Sequence, residues 1–115
     1  MNNRRTGEDG ESQISQYLTG KGYNILHRNF RYKKKEVDII ARKGDTVVFV
    51  EVKKRSTNLY GRGVEAVDHA KRNNIICAAK AYINRYRCED LYVRFDVASI
   101  DEGRISYIED AFQLQ

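Results

Sequence analysis

Three side chains close together in the chain have the types and spacing to do chemistry. Asp38 stands in Glu36-Val37-Asp38-Ile39-Ile40-Ala41, and Glu51 and Lys53 stand in Val47-Val48-Phe49-Val50-Glu51-Val52-Lys53. Both segments are β-branched and apolar enough to be strands, and Lys43-Gly44-Asp45-Thr46 between them is a turn signal. A two-residue hairpin with Gly44-Asp45 at its tip sets Asp38 opposite Glu51, Ile40 opposite Phe49 and Glu36 opposite Lys53. Asp38 then shares a strand face with Ile40, and Glu51 and Lys53 share one with Phe49. Two carboxylates facing each other on half-buried strands repel, so the pairing needs a cation between them. Mg²⁺ typically takes one or two carboxylates and keeps several waters for substrate. A lysine two residues along the same face can orient or deprotonate such a water. That is the equipment for metal-assisted phosphodiester hydrolysis.

A blander arrangement uses the same residues. Acid and base at alternating strand positions usually form a solvated face with cross-strand salt bridges. Against that, Val48, Val50 and Val52 line one face while Val47 and Phe49 line the other. The strand therefore reads as buried on both sides, where charges are rare unless paired or metal-bound.

The elements that must position these groups can be read in order. From about Arg5 to Lys21, Ile14, Tyr17 and Leu18 recur at helical steps, with Gly20 and Gly22 as stop signals. Glu11 falls on that inward stripe and can reach a metal site as an extra ligand; equally, Glu8, Asp9 and Glu11 can complement the helix dipole. Tyr23 to Tyr32 reads as a first strand, with Lys33-Lys34-Lys35 as its exit turn. After the central hairpin, Ser56 to Gly63 reads as a loop beside the proposed site. Val64 to about Arg87 is a long helix whose stripe is Val67, Ile75, Ala78, Ala79, Tyr82 and Tyr86, with Lys71 inside it. That lysine either snorkels or points toward bound phosphate. His69 reads as a surface residue. Leu91 to Ile100 is a further strand, with Arg94 and Asp96 as a structural ion pair on one face, and a short strand runs through Ile108. The order is α-β-β-β-α-β-β, an α/β sandwich around a mixed sheet.

Composition bounds the rest. The 115 residues suit one small domain spanning 1–115, with a single modest core. No apolar run approaches a membrane span, and nothing behind Met1–Thr6 resembles a secretion signal. Cys77 and Cys88 read as reduced thiols in a cytoplasmic protein. The net charge of +5 favours a polyanionic partner. Its distribution says more. Arg28, Arg31, Lys33, Lys34 and Lys35 precede the first acid, and Lys53, Lys54 and Arg55 follow the second, where they would offset phosphate charge.

This arrangement resembles the PD-(D/E)xK nuclease superfamily, with its restriction-endonuclease-like core. Within it the sequence resembles the YraN-like family of small uncharacterised proteins, distantly similar to archaeal Holliday junction resolvases. The resemblance covers nearly the whole chain. It runs through Gly7, Gly10-Glu11, Tyr17-Leu18, Gly22-Tyr23 and Arg28-Asn29-Phe30-Arg31, then both strands of the hairpin. It continues through Tyr60-Gly61, Glu65-Ala66-Val67, Lys71, Arg94-Phe95-Asp96-Val97 and Ala111-Phe112. The family often has glycine where Lys35 stands and tends to have proline where Gly63 stands.

The resemblance implies that Asp38 and Glu51 are metal ligands, Lys53 is the signature lysine, and Glu11 is the helix-borne acid. Lys71 becomes a candidate substrate contact, beside Lys34, Lys35, Lys54 and Arg55. The expectation is a Mg²⁺- or Mn²⁺-dependent endonuclease acting on DNA, branched or damaged DNA included, with the Val52 carbonyl as a further ligand. Two alternatives stay open: a nuclease fold that holds nucleic acid without cutting it, and an RNA nuclease. A homodimer would suit a two-fold substrate such as a four-way junction.

Overall fold

The sheet is built outward from its middle strand. This computed structural model describes residues 5–55 and 69–114, with the backbone path alone for 5–9 and 54–55. In chain order the elements are α1 (Arg5–Gly20), β1 (Asn24–Tyr32), β2 (Lys35–Lys43), β3 (Thr46–Arg55), α2 (His69–Tyr86), β4 (Tyr92–Asp101) and β5 (Arg104–Phe112). The five strands lie side by side in the order β1-β2-β3-β4-β5. All neighbours are antiparallel except β3 and β4, which run parallel from Thr46↔Tyr92 to Arg55↔Asp101. A parallel pair cannot be joined by a tight turn, and α2 lies in the crossover that joins this one.

Central placement explains the apolar run in β3. Val47, Val48, Phe49 and Val50 are all fully buried. Val48 and Val50 face α1 and pack with Ile14, Leu18, Ile39, Ala41, Ala98 and Ile100. Val47 and Phe49 face α2 and pack with Ile40, Ile75, Ala79, Tyr82 and Phe95. Each such side chain removed from water contributes roughly 1.5–3 kcal/mol, so the two layers hold the sheet between them.

The first helix ends as its glycines suggest. The Tyr23 N–H donates to the Leu18 carbonyl and the Gly22 N–H to the Thr19 carbonyl, each at 3.0 Å. These two bonds make a Schellman motif, which needs a left-handed residue at Gly22, where φ is +95°. Tyr23 and Leu18 then meet in the same apolar layer.

In α2, Ile75, Ala78, Ala79 and Tyr82 are buried as the stripe predicts, and Ile76 joins them. Tyr86 does not follow: it is 45% exposed, because the last turn lies over the outermost strand, where its ring meets His27. The expected loop from Ser56 to Gly63 and the expected helical start at Val64, with Val67, lie outside the described residues. Lys35 opens β2 instead of closing the turn, since Tyr32↔Lys35 is already a strand pair and Lys33-Lys34 alone connects.

β5 runs on to Phe112, past the expected end at Ile108. The register slips between Phe95↔Phe112 and Val97↔Ile108, and Asp110 sits at φ +57°. Asp96 fills that bulge. Its carboxylate is fully buried and accepts from the Asp110 N–H, the Tyr107 hydroxyl, and both Nε and Nη2 of Arg94. Arg94 in turn donates to the Tyr23 hydroxyl at 2.6 Å. Satisfying Asp96 in this way lets the strand resume and bring Phe112 onto Phe95, rings 5.1 Å apart. The Arg94–Asp96 pair is thus the structural pair the sequence predicts.

No helix among the described residues is long and apolar enough to cross a membrane.

Candidate active site

The hairpin forms with its expected tip. Lys43↔Thr46 closes the two-residue Gly44-Asp45 connection, with Gly44 at φ +59°, and Ile40 lies opposite Phe49. The register carried forward brings Asp38 level with Glu51. Yet the ladder stops one step short, at Ile39↔Val50. Beyond that point β2 stays with β1 and β3 stays with β4, so the two strands fork. Asp38 and Glu51 flank the fork without being a ladder pair. Glu36 does not face Lys53; it pairs with Arg31 on β1 instead.

The alternation of β2 slips at this point. Val37 and Ile40, three residues apart, both pack under α2, whereas Ile39 and Ala41 pack under α1. Asn29, on β1 between the pairs Arg28↔Ile39 and Phe30↔Val37, has φ +57°, and the strand turns there too. Asp38 therefore does not share a face with Ile40, as simple alternation predicts. Its carboxylate turns into the gap between the strands, where Oδ2 accepts the Val52 N–H at 2.8 Å. A side chain thus takes the bond that the missing ladder would have made.

Glu51 comes from the other side of the fork and is 3% exposed. The Nζ atoms of Lys53 and Lys71 each lie 3.5 Å from its Oε2. Its Oε1 is buried with no hydrogen-bond partner among the described residues. Burial, then the charge of Glu51, push the Asp38 carboxyl up to about 7, although the Val52 N–H works against the rise. Both carboxylates therefore compete for a positive charge or a proton at one spot.

Glu11 approaches from α1. It is half-buried; Arg28 donates to its Oε1 at 3.5 Å, and the Asn29 side chain also bonds to it. Burial and then the charge of Asp38 raise its pKa, so Glu11 feels Asp38 as Asp38 feels Glu51. They are not drawn into one tight cluster. Among the described residues no three acid, histidine or cysteine side chains are grouped closely enough to hold a metal ion. Asp38 and Glu51 are the close pair, and Glu11 stands one layer away.

The other expected contacts are spread around this centre. Lys71, exposed on the first described turns of α2, reaches Glu51, so the lysine inside the helical stripe does turn toward the acids. Lys34 is exposed at the β1–β2 connection, and Lys35 is half-buried at the start of β2. The side chains of Glu8, Lys54 and Arg55 lie outside the described residues. His69 is exposed, and Cys77 and Cys88 are free thiols. The residue sequence reasoning missed is Asn29. Its signal was available: asparagine tolerates a left-handed backbone better than most residues, and one in the middle of a strand marks an irregularity.

A mixed five-stranded sheet, flanked by two helices in the order α-β-β-β-α-β-β, is consistent with a restriction-endonuclease-like fold. The profile of the family described as "Uncharacterised protein family UPF0102" matches residues 10–100. A UPF0102 protein of Persephonella marina is 41% identical over 94% of this chain and 93% of its own length. One from Syntrophus aciditrophicus is 44% identical over 97% and 91%, and one from Caldicellulosiruptor saccharolyticus 42% identical over 87% and 85%. The chain belongs to the UPF0102, or YraN-like, family.

Proposed function

We propose that the chain is a divalent-metal-dependent endonuclease that hydrolyses phosphodiester bonds in DNA. The observation that carries this reading is the acid pair at the fork, with Glu51 buried and Asp38 half-buried. Asp38 and Glu51 repel each other, and one oxygen of Glu51 has no partner among the described residues. Left alone, such a pair costs stability; a cation shared between the two carboxylates relieves the repulsion.

Asp38 and Glu51 would hold Mg²⁺ or Mn²⁺, and Glu11 is the further acid within electrostatic reach. The chemistry such an ion would supply there is polarisation of the phosphate and activation of a water. Lys53, beside Glu51, is set to orient the attacking water and to offset charge as it builds on the phosphate oxygens. Lys71 lies on the same acid from the helix side and would contact the substrate phosphate. Lys34 and Lys35 add positive charge at the mouth of the fork, and Lys54 and Arg55 follow Lys53 in the chain.

One observation favours a second reading, a module that binds nucleic acid without cutting it: no three potential ligands are grouped among the described residues. A cleavage panel separates the two. Duplex, single-stranded, flapped and four-way DNA, together with RNA, are incubated with Mg²⁺ or Mn²⁺ and with chelator. The expected result is metal-dependent cutting of DNA, abolished in Asp38→Ala and Glu51→Ala variants that keep the wild-type circular dichroism. Cutting by both variants at the wild-type rate would overturn the assignment. Preference for the RNA strands would move the substrate class.

A further inference from the structure

An open basin of about 590 Å³ lies on the outer strand β1, against the last turn of α2. Its walls combine cations and rings. Arg28, Arg31 and Arg85 supply charge, and His27 and Tyr86 supply rings. The His27 ring stands edge-on to Tyr86 at 5.4 Å, and Tyr86 leans on Tyr82 at 4.5 Å, which fixes a ring that is still 45% exposed. The Arg85 guanidinium lies 5.6 Å from the Phe30 ring and is thereby held at the rim. An exposed, braced tyrosine among arginines matches a nucleic-acid strand whose bases are free to stack. Paired bases hide their faces within the duplex and cannot use such a ring.

The basin borders the candidate active site through one residue. Arg28, one of its walls, is also the residue that bonds Glu11. We infer that the basin receives an unpaired segment of the DNA that is bound at the fork. The substrate is then a duplex that carries a single-stranded extension or gap. This rests on the endonuclease reading for what happens at the fork, but not for the binding itself.

Binding is measured by fluorescence anisotropy in chelator at fixed salt, so that no cutting intervenes. The probes are a blunt duplex and the same duplex with a single-stranded extension. The wild-type chain is expected to bind the extended probe about tenfold more tightly, the scale of one stacked base. Tyr86→Leu should erase that preference, and Tyr86→Phe should keep it. Arg85→Gln should weaken the extended probe, flatten its salt dependence by nearly one phosphate contact, and leave the blunt duplex nearly unmoved. Equal binding of the two probes by the wild type, or a preference that survives Tyr86→Leu, overturns the inference. Cleavage of the same probes with Mn²⁺ is read separately. Metal-dependent cutting without the preference rejects the basin and leaves the endonuclease; the preference without cutting does the reverse.

Discussion

Asp38 carries its charge into a half-buried gap that already contains the carboxylate of Glu51. Its carboxyl is raised toward 7, first by burial and then by that neighbour. In the unfolded chain it titrates near 4. Between those two values the folded chain keeps a proton that the unfolded chain has lost. Stability from this group is therefore complete below the unfolded pKa and is lost as the pH rises through about 7. In chelator, the melting temperature of the wild type should fall relative to Asp38→Asn between pH 5 and pH 8, with a difference of roughly a few kcal/mol across the window. Millimolar Mn²⁺ at pH 8 should raise the wild-type value and leave the variant nearly unmoved. Parallel pH profiles for the two proteins would show that the carboxylates do not repel.

At the scale of the elements, the turn from α1 into β1 rests on the backbone of one residue. Gly22 holds φ at +95°, and a β-carbon there would touch only the Lys43 side chain, at an ordinary 3.4 Å. The cost of Gly22→Ala is thus conformational, roughly 1–2 kcal/mol by urea unfolding. Gly20→Ala meets nothing within 4 Å and lies in helical backbone, so it should be neutral or slightly stabilising. Equal losses for both would place the strain elsewhere. This turn was legible because its signal is local, and so was β3, whose two apolar faces can only be a central strand. The fork was half legible. Counting residues from Gly44-Asp45 brings the two acids level, but the slip at Asp38 depends on Asn29 across the sheet. No local pattern on β2 reports that. The length of β5 was hidden for the same reason, since it depends on a carboxylate from β4 filling the bulge. Tyr86 keeps the helical period; what periodicity cannot see is where the sheet beneath it ends. Of the site, Asp38, Glu51 and Lys53 were readable from residue type and spacing. The hold of Arg28 and Asn29 on Glu11 was not, because it is made only when α1 lies across β1.

For the whole molecule, the far half of the sheet is tied together by Asp96. Its four donors come from β4 itself and from β5, and Arg94 extends the network to Tyr23 at the entry to β1. Asp96→Ala leaves Arg94 and Tyr107 facing an empty buried position and should cost roughly 3–5 kcal/mol, a large share of the 5–15 kcal/mol typical of a folded domain. Chemical denaturation checks this, and a loss under about 1 kcal/mol would mean that water replaces the carboxylate with ease. The kinked outer strands have a separate consequence. β1 bends at Asn29 and shows Arg28 and Arg31, while β5 bends at Asp110 and shows Arg104 and Glu109. β5 also exposes Ile105 and Ile108, so the bends and the charges are what oppose the addition of another chain's strands. Another chain would have to follow those bends to add a strand, so the irregular rims work against fibre formation in a crowded solution.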